Sequence, residues 1–335
     1  MDAVQDNAVD AVVAWVDGSD PSHRAKLEAY LASIGGRRPA MANPTRFSAD
    51  GELDYCVASL LRHAPWLRRI WIVTDAQVPG LVRRIAATPL AERIRVVDHR
   101  EIFAGFGQYL PTFNARAISA MLWRIPGLAE RFVYFNDDFM LLRPVEATDF
   151  FRDGGVVLRG RWQPQSAHSL PRRIAAAWKS LRGIDDAARA SVRHSQELAA
   201  RLAGFDRKYF ALKHVPYPFR RSTMQAYFEA HPEVLEDCAR HRLRAMEQPR
   251  SECLSTHLEI AQGSAVFDNR LRVVELKPRT QSLRGIERRM ARADADPDTA
   301  FACVQSLDAA SDAVRAAILA WLDRRVGRPD AAFAA

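Results

Sequence analysis

The sequence lacks most of the features that would assign it to a class at once. Its four cysteines, Cys56, Cys238, Cys253 and Cys303, lie far apart with no C-x-x-C pair. That spacing excludes a zinc knuckle and a disulfide framework and leaves reduced thiols as the expectation. No apolar stretch approaches the roughly 20 residues of a membrane-spanning helix. The first ten residues are acidic and polar rather than basic then apolar, so nothing in them reads as a secretory leader. The expected location is the cytoplasm, with at most a peripheral association at the inner face of a membrane. Internal repeats are absent. The arginine-rich stretches 159–182 and 270–292 are interrupted by apolar residues at helical or strand spacing. They come with no recognisable nucleic-acid module, so nucleic acid is not an expected partner.

What is present reads as an ordinary globular chain: 335 residues, 48% hydrophobic and 26% charged. Such a length suits one large α/β domain with insertions. The formal charge of +8 favours anionic partners, among them phosphorylated substrates, without choosing between them.

Val9 to Val16 is a nearly continuous, β-branched-rich apolar run, as expected of a strand buried on both faces of a parallel sheet. Similar runs follow at Ile70–Thr74, Ile94–Val97 and Phe132–Phe135. Amphipathic helical stretches intervene, at Leu53–Leu61 and at Ala115–Ile125 before the breaker Pro126-Gly127. Strands alternating with helices predict an α/β fold with an open, mostly parallel Rossmann-like sheet. Residues 1–160 form this core. The stretch 161–265 is expected to be a mostly helical insertion, with signals at 172–181, 187–202, 223–230 and 232–242. Residues 266–335 return to the core through strands at 271–276 and 301–304 and a final helix near 309–326, the whole forming one unit. Asp294–Asp298 (DADPD) is expected to be an exposed linker.

In open parallel sheets ligands bind beyond the carboxyl ends of the strands, and two strand ends carry chemistry. The first strand runs into Trp15-Val-Asp17-Gly18-Ser19-Asp20. Gly18 permits a tight turn and close approach to a ligand, although a turn plus helix cap at Asp20 or Ser22 reads equally well. The fourth strand ends in Asn136-Asp137-Asp138 between strongly apolar flanks. Adjacent carboxylates repel unless a proton or cation lies between them. A hard divalent ion, Mg²⁺ or Mn²⁺, held by Asp137 and Asp138 against a diphosphate would resolve that repulsion. This arrangement resembles the acidic strand-end motif of glycosyltransferases that use nucleotide sugars. His214 sits in a doubly proline-braced extended loop, His214-Val-Pro216-Tyr217-Pro218, and Arg250 in Arg250-Ser251-Glu252. Read alone, each is more often a structural residue. Thr112 and Asn114 are placed to cap the helix that follows them.

Taken together these pieces are similar, in order and spacing, to the Stealth family of sugar-1-phosphate transferases. The first region of resemblance is Asp10 to Asp20. The second takes in Arg46-Phe47, Glu52-Leu53, Ala64-Pro65-Trp66, Ile72-Val73-Thr74-Asp75, Val97-Asp98-His99, Leu110 to Asn114, Arg124 to Leu128 and Tyr134 to Phe139. The third is His214-Val-Pro216 with Pro218 and a following arginine, and the fourth is Phe301 to Asp308 with the terminal helix. Tyr217 stands where many relatives carry a second histidine, Asp54 where a basic residue is common, and Cys253 near a position often acidic.

The resemblance implies a glycosyltransferase-A-like sheet and residues 1–160 as a nucleotide-sugar-binding core. It implies transfer of a hexose or N-acetylhexosamine 1-phosphate from a UDP-sugar to a carbohydrate hydroxyl, releasing UMP, in capsule or exopolysaccharide synthesis. By the same resemblance Asp137, Asp138, His214 and Arg250 are catalytic, and Asp137 and Asp138 hold Mg²⁺ or Mn²⁺. Trp15, Asp17, Gly18, Ser19, Asp20, Arg46, Thr112, Asn114 and Asn136 bind substrate. Two other readings stand beside it: a metal-dependent glycosyltransferase that releases UDP, and a non-catalytic carbohydrate-binding protein.

Overall fold

The strand that opens the fold is almost wholly apolar, and its side chains are buried on both faces from Val9 to Val13. A strand of that kind must lie in the middle of a sheet. In the computed structural model, which describes residues 7–35, 51–170, 192–334, Arg172, Ile174 and Trp178, it does. Arg46 and most of the helix expected over 172–181 lie outside the described residues.

The strands in chain order are β1 (Val9–Ala14), β2 (Ile70–Thr74), β3 (Ile94–Asp98), β4 (Arg131–Asn136), β5 (Phe139–Leu141), β6 (Phe151–Arg152) and β7 (Gly155–Leu158). They continue with β8 (Gly160–Pro164), β9 (Lys208–Leu212), β10 (Tyr217–Arg220), β11 (Ala265–Phe267), β12 (Arg272–Leu276) and β13 (Thr299–Val304). The central sheet has the order β10-β4-β1-β2-β3. Its β-strands 1 to 4 are parallel, while β10 runs antiparallel along β4. The chain winds outward from β1 through β2 to β3 and then crosses to β4 on the other side of β1. That reversal creates a crevice at the carboxyl ends of β1 and β4, the topological switch point of an open sheet.

Helix Glu52–His63 packs on this sheet through Leu53, Cys56, Val57 and Leu60, which recur at helical spacing and are buried. The sheet is also pinned at its other end. Asp10, fully buried, accepts from Arg68 Nε (2.9 Å) and Nη2 (2.6 Å), Trp71 Nε1 (2.8 Å) and the Ala129 amide (2.9 Å). A buried carboxylate this fully bonded ties β1 to β2 and to the lead-in of β4.

Three smaller sheets flank the core: β11-β7-β6, β12-β13-β5 and the pair β8-β9. The stretch 161–265, expected to be mostly helical, therefore also contributes β9, β10 and most of β8. At Gly160 an added Cβ would fall 2.4 Å from the Ala211 carbonyl oxygen, so the close approach of β8 and β9 there requires glycine. The doubly proline-braced segment after His214 is not wholly loop. From Tyr217 it becomes an edge strand, where Pro218 is tolerated because an edge can spare one N–H.

Asp294–Asp298 is exposed at several positions, but it is the end of helix Leu283–Ala295 and a turn held by side chains rather than a linker. Trp321 Nε1 donates to Asp294 (2.9 Å), and Asp296 accepts from the Asp298 amide (3.0 Å), Thr299 Oγ1 (2.9 Å) and Arg272 (3.0 Å). Helix Asp312–Arg325 then returns to the core through Val314, Ile318, Trp321 and Leu322. No helix among the described residues is long and apolar enough to cross a membrane.

Candidate active site

The parallel register sets Ala14 of β1 beside Asn136 of β4. The next residues of both strands, Trp15 to Asp20 and Asp137-Asp138, therefore leave the sheet side by side at the switch point. Asp138 is fixed from below, because β5 pairs with β13 and the Val304 amide donates to the Asp138 carbonyl (2.9 Å). The same pairing sets Cys303 opposite Phe139, and the Cys303 thiol donates to Asp138 Oδ2 (3.4 Å). Asp138 Oδ1 is buried with no hydrogen-bond partner.

Two carboxyls recessed together hold their protons tightly. Burial, then the charges of Asp138 and Glu52, push Asp137 well above the usual carboxylate range. Burial raises Asp138 to about 7, with the Cys303 hydrogen bond opposing and Glu52 adding. An orphaned buried oxygen and two carboxyls that resist ionisation make an arrangement that a divalent cation would relieve.

His214 stands across this pair. Its ring meets Phe139 edge-on at 4.7 Å between centroids, and its Nδ1 lies 3.0 Å from the Tyr217 hydroxyl. Burial, reinforced by Arg250, lowers its pKa to about 4, so the ring is neutral at physiological pH. Arg250 donates to the same Tyr217 hydroxyl (3.3 Å) and forms an ion pair with Glu252, donating through Nε to Oε1 at 2.6 Å. Tyr217 is thus the link between His214 and Arg250. The structure brings Asp137, Asp138, His214 and Arg250 to one place.

The binding residues expected from the sequence divide into two groups. Asn136 and the Trp15–Asp20 loop lie at the switch point. In that loop Asp17 Oδ1 accepts from the Ser19 amide (2.8 Å) and hydroxyl (2.6 Å), and Asp20 caps the next helix by accepting from the His23 amide (2.9 Å). The turn-and-cap arrangement is therefore real, and Gly18 makes the turn without entering the left-handed region. Thr112 and Asn114 form the other group. Both are buried, and Asn114 caps helix Ala115–Met121, as its position suggested, while donating to the His241 carbonyl (2.8 Å) and Gln248 (2.7 Å). The Thr112 hydroxyl is buried with no hydrogen-bond partner.

Sequence reasoning missed three features: Cys303 beside Asp138, the Glu252 partner of Arg250, and a second polar cluster at the ends of β2 and β3. There Asp75 accepts from Lys26 (2.9 Å) and lies 3.3 Å from His23 Nδ1, with buried His99 close by. The signal was available, since Thr74-Asp75 and Asp98-His99 follow apolar strand runs just as Asn136-Asp137 does.

Burial alone would raise Asp75, but the bonds from His23 and Lys26 outweigh it and hold the carboxyl at about 2. A depressed carboxylate contributes stability that is present above about pH 4 and lost as pH falls through about 2. Asp75→Asn is therefore expected to cost about 2–3 kcal/mol at pH 7, with the gap from wild type closing toward pH 2. Urea unfolding at several pH values measures this, and an unchanged midpoint at pH 7 would refute the linkage.

Residues 8–35 match the Stealth protein conserved region 1, and residues 46–158 match Stealth protein conserved region 2. The chain is 31% identical over 282 residues to the receptor polysaccharide phosphotransferase WefC of Streptococcus oralis, covering 78% of this chain and 81% of that protein. It is 42% identical over 154 residues to the capsular polysaccharide phosphotransferase LcbA of Aeromonas hydrophila, covering 45% and 40%. To the exopolysaccharide phosphotransferase SCO6023 of Streptomyces coelicolor it is 35% identical over 237 residues, covering 71% and 37%. The chain thus spans most of the streptococcal relative but well under half the length of the other two. Among solved structures, galactosyltransferase LgtC with donor and acceptor sugar analogues aligns over 88% of this chain and 86% of that one, at 12% identity and a TM-score of 0.39. Likeness at that level carries no inference about the site.

The mostly parallel α/β sheet carries paired carboxyls at its switch point, and the matched phosphotransferases make the chain an enzyme of the transferase class. The chain belongs to the Stealth family, whose matched members are polysaccharide phosphotransferases.

Proposed function

We propose that the protein transfers a hexose or N-acetylhexosamine 1-phosphate from a UDP-sugar to a carbohydrate hydroxyl, forming a phosphodiester and releasing UMP, in capsule or exopolysaccharide synthesis. The observation that carries this reading is the convergence of Asp137-Asp138, His214 and Arg250 at the switch-point crevice of a Stealth family chain. The Trp15–Asp20 loop and Asn136 border the nucleotide, and by resemblance Arg46 adds a charge there.

Asp137 and Asp138 would hold Mg²⁺ or Mn²⁺, a reading that the buried, partnerless Asp138 Oδ1 supports. A cation bound there supplies neutralisation of the diphosphate and of the leaving nucleotide. His214, neutral and hydrogen-bonded through Nδ1, accepts the proton of the attacking hydroxyl. Arg250, held in place by Glu252 and Tyr217, meets the charge of the transferring phosphoryl group.

The bond that breaks tests the reading. Attack at the sugar-bearing phosphorus sends the anhydride oxygen away on UMP and leaves one phosphorus in a diester product. Attack at the anomeric carbon instead releases UDP and leaves the product free of phosphorus. Purified protein, a panel of nucleotide sugars and a carbohydrate acceptor are expected to yield UMP in step with a ³¹P diester signal. Stoichiometric UDP with a phosphorus-free product, in the absence of phosphatases, would make the protein an ordinary glycosyltransferase.

A further inference from the structure

Cys303 is fully buried at the border of the apolar core, and its sulfur lies 3.4 Å from Asp138 Oδ2. One side-chain oxygen of Asp138, one ring nitrogen of His214 and Cys303 Sγ all lie within 4.8 Å of one another. We infer that Asp138, His214 and Cys303 form a three-ligand site for a borderline-soft divalent cation of the zinc class, overlapping the carboxylates assigned to Mg²⁺ or Mn²⁺. The inference rests on the reading of Asp137-Asp138 as the cation site of the transferase and adds a second, thiophilic occupant to it.

Three observations support this set. First, the donors are the right kind. Carboxylate, imidazole and thiolate together suit Zn²⁺, Co²⁺ or Cd²⁺, whereas Mg²⁺ has little use for sulfur. Second, the spacing is close to that of a coordination polyhedron. Bonds of about 2.3 Å to sulfur and 2.0 Å to oxygen at a tetrahedral angle put the two ligand atoms roughly 3.5 Å apart. Cys303 Sγ and Asp138 Oδ2 are 3.4 Å apart.

Third, the outer groups are in place. The Tyr217 hydroxyl lies 3.0 Å from His214 Nδ1. With Nδ1–H donated to that oxygen, Nε2 presents a lone pair, which is how ligating histidines are usually held. Asp138 Oδ1 is buried without a partner on the same side chain. Three protein ligands leave a fourth position open, as in zinc centres that also bind water or substrate.

Binding exchanges a proton for the cation. The S–H bond of Cys303 breaks, its electron pair forms the sulfur–metal bond, and the proton leaves to the buffer. An ion held this way occupies Asp138 and His214 at once, so it opposes the transfer that Mg²⁺ or Mn²⁺ supports.

Cobalt(II) reads the site directly, because four-coordinate Co²⁺ bound to thiolate shows strong visible bands and a sulfur-to-metal charge-transfer band in the near ultraviolet. Metal-stripped full-length protein, titrated with Co²⁺ without oxygen, is expected to develop both at one equivalent. Cys303→Ser removes the charge-transfer band, His214→Ala weakens Co²⁺ binding by about 100-fold, and Cys238→Ser, outside the ligand set, changes neither. A weak six-coordinate spectrum in the wild type, or a charge-transfer band that survives Cys303→Ser, overturns the inference.

If Cys303→Ser does not fold, ¹¹³Cd NMR of the wild type decides: a shift characteristic of one sulfur ligand supports the site, and an all-oxygen and nitrogen shift removes it. The two readings fail separately. Transfer with Mg²⁺ in a protein lacking the thiolate band sinks this inference alone, whereas a thiolate band in a protein that turns over no nucleotide sugar sinks the transferase reading alone.

Discussion

Asp138→Asn lowers the transfer rate by about 10³-fold or more, the scale on which a single electrostatic group of an active site acts, while the protein folds. Two features lead to this result. The side chain has a buried oxygen without a partner, and it lies two residues past the end of β4 at the switch point. Asparagine keeps the shape but cannot take the full charge of a cation.

The same substitution has a second expected effect, on stability. The folded chain holds the Asp138 proton up to about pH 7, through burial above all, while an unfolded aspartate releases it near 3.9. Here the folded-state pKa is raised, so ionisation costs nothing below about pH 4 and the full penalty applies above about pH 7. Metal-free Asp138→Asn is therefore expected to be more stable than the metal-free wild type at pH 8, by a few kcal/mol and at most about 4. At pH 4 the two should be equal. Scanning calorimetry with chelator at both pH values measures this alongside activity. Lost folding, or near-normal turnover on a confirmed substrate, would show that Asp138 is structural.

Arg250→Ala is expected to lower turnover by about 10²–10³-fold, and unlike Asp138→Asn it should also destabilise. Removing the guanidinium strands Glu252, which is buried and held in its charged form by Arg250 against the cost of burial. Breaking a buried pair from one side costs about 3–5 kcal/mol. The two effects come apart in the double variant Arg250→Ala/Glu252→Gln, which removes the stranded charge. Stability should largely return while turnover stays low. If activity returned with stability, Arg250 would be a scaffold for helix Ser251–Ala261 and nothing more. Lysine at 250 is expected to rescue only partly, since a point charge cannot reach both Glu252 and the Tyr217 hydroxyl in one plane.

The core of the fold was legible because its signals are local. The run Ile70–Thr74 is a strand of those very bounds, and the helix expected over Leu53–Leu61 extends only from Glu52 to His63. Parallel strands buried on both faces leave an apolar imprint that neighbours do not alter. Short flanking strands were not legible. β8 and β11 are three to five residues long and partly exposed, and they exist through pairing with distant segments, while β6 is two residues of a tight hairpin with β7. Asp294–Asp298 was legible as exposed but not as bonded, since only the fold brings Trp321, Arg272 and Thr299 to it.

The candidate site divides along the same line. By itself the sequence determined the parallel α/β core and the acidic strand end Asn136-Asp137-Asp138, because both are written in contiguous residues whose burial follows from their own pattern. The tertiary structure alone decided which distant groups meet that strand end. Pairing of β5 with β13 brings Cys303 to Asp138 across 165 residues of sequence. Pairing of β10 with β4 brings Tyr217 beside Tyr134, and with it His214 and Arg250. Asn114, legible as a helix cap, is also tied by the fold to the His241 carbonyl and Gln248. Register between strands far apart in the chain is set by packing over the whole core, so no local pattern encodes which side chains it places face to face.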